Sequence, residues 1–330
     1  MERLKSKIMS KTYDHKKSID ERIVSAVEQV LGVNVRDSKK MTNGEINHVY
    51  KIITSKNTII ARVFRYAAHP ADGMLQWIEK QLIKYKIPHA KLLYYSRDSQ
   101  HFPNGFMISE FVDGLNGSQD YELGIHTLAQ SYEQSGKILR KIHKIKAKRY
   151  GKINHGKGEC ADYLEMELKQ VKEKLTDLIK HKALPVDTTV RTNQTIKASL
   201  EPYINTFCPT LIHGDASREN SIWAKGKNFI LVDWDNASFS IWLRDFIEYS
   251  WWWLHLPEWK SEAKRKTARK AFFDGYGKVE YTPKEIDNIQ HGLLLIKSVE
   301  KLHYYFFDRK DIKNFNLVKK IFFQILDKSL

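Results

Sequence analysis

Cysteine is scarce in this 330-residue chain: Cys160 and Cys208 are the only two, and no CxxC pair occurs. That count excludes a disulfide framework, and both thiols read as reduced groups of a cytoplasmic protein. Long apolar runs are missing as well. The N-terminus MERLKSKIMSKTYDHKK is basic with no apolar stretch behind it, which excludes a secretory signal or membrane anchor. The longest aromatic run, Trp251 to Leu256, is far shorter than the ~20 residues that span a bilayer. The protein is expected to be soluble, with no membrane insertion. No internal repeat or low-complexity segment interrupts the chain, so it reads as a single succession of elements.

Acidic residues are in deficit: 39 Asp and Glu against 55 Lys and Arg give a formal net charge of +16. Clustered, such an excess would release counterions from a phosphate polymer. Here the lysines are spread along the chain among many Ile, Asn and Tyr residues. The excess therefore reads as compositional bias on a solvated surface, and no nucleic-acid partner is expected. A highly cationic substrate would need a local acidic pocket.

What is present is concentrated in residues 211–235, LIHGDASRENSIWAKGKNFILVDWD. His213, Asp215, Asn220 and Asp233 stand at the spacing used for phosphoryl transfer from ATP: an Asp that accepts the acceptor hydroxyl's proton, an Asn five residues on that holds magnesium, and a second Asp that holds it too. A random chain of this size would carry HGDxxxxN with a probability on the order of one in a thousand. The apolar run Phe229–Val232 reads as a short buried strand that delivers Asp233 at its tip.

Apolar spacing predicts a helix over 18–32, closed by Gly32, then strands over 35–41, 49–54 and 58–64, a helix over 73–85, and strands over 92–96 and 105–112, with Asp113-Gly114 as an exit turn. From there the pattern is helical: 125–145, 161–181, 195–207, 243–255, 261–276, 283–307 and 315–326. A sheet-rich piece, residues 1–112, followed by a helical piece, 113–330, is an α+β arrangement rather than alternating βαβ units. The expected nucleotide site is the cleft between the two lobes, with the catalytic loop in the helical one.

The motifs LIHGDASREN and LVDWD, together with Asp245 in WLRDFIEY, resemble those of the aminoglycoside phosphotransferase and choline-kinase-like small-molecule kinases, a branch of the protein-kinase-like fold. NGEINHVYKI, IIARVFR and the helix end ILRKIHKI add weaker support, so the resemblance extends from about residue 40 to about residue 250. It implies a two-lobed fold with a small antiparallel-sheet N-lobe and a larger helical C-lobe. It further implies that Asp215 is the base, that Asn220 and Asp233 are magnesium ligands, and that the cofactors are ATP (or GTP) and Mg2+. Asn and Asp offer the hard oxygens that magnesium prefers. His213 and Asp245 read as braces of the loop, and Arg218 as a loop arginine within reach of the transferred phosphate.

On the sheet lobe, the turn Asn43-Gly44-Glu45-Ile46-Asn47 would bring backbone amides to the phosphates, with Gly44 and Asn47 as its contributors. Arg62 stands where kinases usually carry the phosphate-pairing lysine, and arginine can pair with phosphate bidentately. Its acidic partner is Glu79 or Asp72, since Met74 occupies the place where relatives have glutamate. Ser109 to Val112 resembles the hinge whose backbone receives adenine, which nominates Glu110 and Val112.

Trp251, Trp252 and Trp253 step about 100° apart around a helix, so they cannot all share one narrow stripe. They fill the helical core, or one of them forms an aromatic wall for the acceptor. Glu159, Asp162, Glu165 and Glu167 complement the start of a helix. The expected activity is ATP- and magnesium-dependent phosphorylation of a hydroxyl on a small molecule such as an aminoglycoside-like antibiotic, amino alcohol or sugar. The alternatives are a catalytically silent nucleotide-binding module and a protein kinase. Only eleven residues separate Asp233 from Asp245, which leaves little room for an activation loop and speaks against the protein kinase.

Overall fold

The computed structural model describes residues 18–41, 47–67, 69–226, 228–255 and 261–328. The chain forms two compact units. One runs to Lys80 and takes in His89–Asp113; the other comprises Gln81–Pro88 and the chain from Gly114 onward.

The first unit begins with α1 (Ile19–Leu31), whose Ser18 and Glu21 form a reciprocal capping box and whose C-terminal Gly32 takes the left-handed conformation. Then come β1 (Val35–Lys40), β2 (His48–Thr54), β3 (Thr58–Val63), α2 (Met74–Lys84), β4 (Leu92–Ser96) and β5 (Phe106–Glu110). The strands form one antiparallel sheet in the order β1-β2-β3-β5-β4. Ile23, Ala26 and Val27 recur at helical spacing and pack α1 onto Tyr50, Ile52, Ile59, Ala61, Val63 and Ile108. Burying each of the larger side chains contributes about 1.5–3 kcal/mol. Because β3 buries Ile59, Ala61 and Val63, the alternation turns Arg62 to the opposite face, across from Val49 and Met107.

The second unit contains β6 (Gly114–Asn116), α3 (Gly117–Glu122), α4 (Leu128–Ile142), β7 (Gly151–Lys152), α5 (Tyr163–Lys180), α6 (Thr188–Leu200), β8 (Thr210–Ile212), β9 (Ser221–Ala224), β10 (Phe229–Leu231), β11 (Ser238–Ser240), α7 (Leu243–His255), α8 (Glu262–Tyr276), α9 (Pro283–His303) and α10 (Ile312–Leu326). Two three-stranded sheets, β10-β9-β6 and β7-β11-β8, carry the central loops. Helices α4 and α8 approach so closely that a Cβ at Gly136 would lie 2.2 Å from the Phe272 carbonyl oxygen, and one at Gly275 would lie 2.0 Å from that of Glu133. Among the described residues, no helix is long and apolar enough to cross a membrane.

Several expectations are corrected. Gly114 opens strand β6 rather than ending an exit turn, and β5 stops at Glu110, which leaves Val112 in an irregular stretch. Helix α6 covers Thr188–Leu200 rather than 195–207, because Pro202 cannot donate to a continuing helix and instead sits in the first turn of the 3-10 segment Glu201–Thr206. The long helix expected over 283–307 ends at His303 and passes into a π-helical turn, Tyr304–Asp308.

Candidate active site

Strand β8 is buried along its length and pairs with β11, so the residues that follow it, His213-Gly214-Asp215, emerge from a fixed base. Gly214 has φ +78°, and a Cβ there would meet the Asn236 carbonyl oxygen at 2.2 Å, so both conformation and space demand glycine. His213 has no exposed surface. Its Nδ1 accepts the Asp215 backbone N–H at 3.3 Å, which leaves Nε2 to donate to the Val232 carbonyl at 3.0 Å. The ring thus ties the loop to the end of β10 and acts as a brace.

Asp245, in the first turn of α7, holds the loop from behind. Its Oδ2 accepts the His213 backbone N–H at 2.8 Å and His143 Nε2 at 3.0 Å, while Oδ1 accepts the Gly214 N–H at 2.8 Å. Burial alone would raise this carboxyl's pKa. The His143 hydrogen bond and charge, with His213, more than offset that and hold it below the ordinary carboxylate range. Burial in turn lowers His143, against the pull of Asp245. With Nε2 against Asp245, the His143 Nδ1 lies 2.9 Å from the Tyr276 hydroxyl, which closes a buried chain across α4, α7 and α8.

The hairpin β9–β10 brings Asn220 and Asp233 to the same end. Ser221 lies opposite Leu231, and the Val232 N–H donates to the Asn220 carbonyl at 2.9 Å, so the two site residues flank one rung. Asn220 Nδ2 donates to the Asp215 backbone carbonyl at 3.0 Å, which fixes the amide and leaves Oδ1 as its oxygen for a hard cation. Asp233 adopts the left-handed conformation, φ 67° and ψ 69°, at the strand tip; Asp tolerates this better than most residues. Among the described residues, no group of three or more His, Cys, Asp or Glu side chains could hold a metal alone. One amide and one carboxylate suit magnesium shared with phosphates, and the donor set fits that ion.

The remaining nominated residues lie in the first unit. Gly44, with Asn43, Glu45 and Ile46, lies outside the described residues. Asn47 is buried, and its Oδ1 accepts the Arg65 N–H at 3.3 Å. Glu110 donates its N–H to the Lys91 carbonyl, and its carboxylate sits 3.8 Å from Lys91 Nζ. Val112 lies where the chain leaves the first unit. Of the two acids weighed for Arg62, Glu79 meets His89 Nε2 at 3.2 Å and Asp72 accepts the Gly73 N–H at 2.9 Å. In the second unit, the Arg218 guanidinium lies 5.0 Å over the Tyr121 ring. Trp251 and Trp253 are buried in the core, with Trp253 Nε1 donating to the Tyr132 hydroxyl at 2.9 Å, so for these two the aromatic-wall reading gives way to packing.

Sequence reasoning missed a cluster of charged residues that joins α7 and α9. Glu248 on α7 meets Lys297 on α9 at 2.5 Å, and Arg244 meets Glu300 at 2.7 Å. Glu167, assigned to the helix start, is buried beside Tyr163 and Arg244. The available signal was the set Lys297, Glu300 and Lys301 at i, i+3 and i+4 within an otherwise apolar helix.

The comparisons with known proteins place this loop and its brace in a family. The family model described as "Phosphotransferase enzyme family" matches residues 38–284, and the chain belongs to that family. It is a phosphotransferase of the class that acts on small-molecule hydroxyl groups. Among solved structures, aminoglycoside phosphotransferase APH(4)-Ia superposes with a TM-score of 0.67 at 13% identity, covering 93% of this chain and 98% of its own. Spectinomycin phosphotransferase APH(9)-Ia, solved with ADP and spectinomycin, gives 0.60 at 12% identity, covering 93% and 97%. A chain assigned as a fructosamine-3-kinase from Haemophilus somnus 129PT gives 0.65 at 15%, covering 92% and 96%. These likenesses establish the aminoglycoside-phosphotransferase type of kinase-like fold. No curated protein sequence matches the chain.

Proposed function

We propose that this chain transfers the terminal phosphoryl group of ATP to a hydroxyl of a small molecule, with Asp215 as the base and Asn220 and Asp233 as the magnesium ligands. The observation that carries the reading is the hydrogen-bonded convergence of these three residues: Asn220 Nδ2 on the Asp215 carbonyl, and the Val232 N–H on the Asn220 carbonyl. Nucleotide use is supported by similar proteins that hold ADP or AMP-PNP. Asp215, on a loop fixed by Asp245 and His213, orients the acceptor hydroxyl and takes its proton as the oxygen bonds to phosphorus. Magnesium bound by Asn220 and Asp233 would neutralise phosphate charge. Arg62 supplies a cation for the phosphates, the backbone amides of the segment that includes Gly44 and Asn47 would add to it, and the backbone of Glu110 to Val112 receives adenine.

The test is ATP turnover with and without magnesium against pooled hydroxyl compounds, read by a one-phosphate mass shift. Magnesium-dependent transfer to one compound class supports the reading. Nucleotide binding without transfer would favour the silent module, and phosphate on proteins but on no small hydroxyl compound would favour a protein kinase.

A further inference from the structure

Helix α3 has six residues, too few for a helix to be stable by itself, so its contacts must hold it. Asn116 and Gln119 cap it reciprocally: Asn116 Oδ1 accepts the Ser118 and Gln119 N–H groups at 3.1 and 2.8 Å, and Gln119 Oε1 accepts the Asn116 N–H at 3.2 Å. Asp120 is buried, with Oδ1 2.8 Å from His126 Nδ1, and the His126 ring stacks on Trp223 of β9 at 3.7 Å. Lys264 of α8 donates to the Tyr121 hydroxyl at 3.0 Å. The helix is thus fastened to β9 and to α8.

Further contacts run from it to the catalytic loop. The Gly117 N–H donates to the Arg218 carbonyl at 2.9 Å, and the same carbonyl accepts the Ser221 N–H at 3.3 Å and the Ser221 hydroxyl at 2.9 Å. The Ser118 hydroxyl donates to Glu219 Oε1 at 2.7 Å, and the Arg218 guanidinium lies 5.0 Å from the Tyr121 ring centroid. A Cβ at Gly117 would stand 2.9 Å from the Arg218 carbonyl oxygen and 2.6 Å from Ser221 Oγ, an approach that a larger residue would force apart. Strand β6 continues the contact, with Asn116 opposite Ile222. Residues 116–121 therefore touch the chain on both sides of Asn220: Arg218 and Glu219 before it, Ile222 after it.

We propose that α3 is a clamp that holds Asn220 in place as a metal donor, and that Tyr121 is its positioning residue, acting through Arg218. This rests on the proposed role of Asn220. The ring attracts the guanidinium, and the arginine passes that restraint to the backbone two residues before the donor. Magnesium demands a nearly fixed donor geometry, so a loosened Asn220 weakens metal binding more than the rate at saturating metal.

The experiment compares full-length wild type with Tyr121→Leu, Tyr121→Phe and Gly117→Ala. Hydrogen exchange is followed first, without nucleotide or magnesium. Loss of the ring contact in Tyr121→Leu should speed exchange of the amides of 217–221 about 5-fold and leave those of α9 unchanged, while Tyr121→Phe, which keeps the ring, should exchange as wild type does. Gly117→Ala, whose Cβ meets backbone, should speed the same amides at least as much. In ATP turnover with the acceptor identified by the hydroxyl screen, Tyr121→Leu should raise the magnesium concentration at half-maximal rate about 5-fold, with a smaller change in kcat at saturating magnesium. Tyr121→Phe should retain most of the wild-type magnesium affinity. Exchange at 217–221 equal to wild type in both Tyr121→Leu and Gly117→Ala, or faster exchange spread over the whole chain, would overturn the clamp. A fall in kcat with an unchanged magnesium requirement would overturn the metal-positioning role. Transfer by the wild-type protein to no compound counts against the phosphotransferase reading itself, and the exchange data alone then decide the clamp.

Discussion

Asp245 has no exposed surface, yet its carboxylate accepts three N–H groups, two from the backbone of the catalytic loop and one from His143. Asp215 is its opposite: partly exposed, and held through its backbone rather than its side chain. The two residues should therefore fail differently. Asp215→Ala should lower turnover by about two to four decades and leave stability nearly unchanged, because little packing is lost. Asp245→Asn replaces one accepting oxygen with a donor that faces buried N–H groups. It should cost about 2–4 kcal/mol in urea unfolding and lower turnover through a loosened loop. An Asp245→Asn protein as stable as wild type would refute the brace. Of these residues, HGDASREN was legible because its chemistry lies within eight consecutive positions. His143 was not: its bond to Asp245 spans 102 positions, and nothing local in ILRKIHKI marks that ring for a carboxylate on another helix.

Helices α4 and α8 bring the Asp245–His143–Tyr276 chain together, since His143 ends α4 and Tyr276 ends α8. Gly136 and Gly275 set their separation. Gly136→Val or Gly275→Val would drive a side chain into the facing backbone, which cannot rotate away as a side chain would. Each should cost about 3 kcal/mol or more and lower activity by shifting His143. Thermal melts with parallel turnover measurements check this; a variant with native stability would show that the close approach is dispensable. Element types were mostly legible from periodicity, as in α1, the strands of the first unit and α7 to α10. The misses have physical causes. Strands β6, β9 and β11 have only three or four residues and show no readable alternation, and β6 and β11 pair with strands remote in sequence. The error in α6 came from overlooking Pro202, the one residue in that stretch that cannot extend a helix.

At the scale of the molecule, the buried carboxylates pull stability in two directions as pH changes. Glu300 is raised by burial but lowered further by Arg244 and Lys297, to about 2, and Asp245 also lies below its ordinary value. An unfolded chain would protonate these groups at about 4 to 4.5. As pH falls below about 4.5 the unfolded state therefore binds protons that the folded state refuses, and the stability these groups contribute at higher pH is lost toward pH 2. Glu167 and Glu248 behave oppositely. Burial raises both, against Arg244 and Lys297 respectively, so the folded state takes up their protons first and stability is lost as pH rises through their folded values. Stability therefore falls steeply below pH 4.5 through Glu300 and Asp245, while above that pH Glu167 and Glu248 draw it down and His143, held low by burial, raises it toward pH 6.5. Urea unfolding between pH 3 and 8 measures it. Glu167→Gln, which cannot ionise, should remove that residue's share of the loss above pH 4.5 and leave the acid limb in place. A stability difference between wild type and Glu167→Gln that stays constant from pH 4.5 to pH 8 would mean that Glu167 ionises in the folded protein as readily as in the unfolded chain.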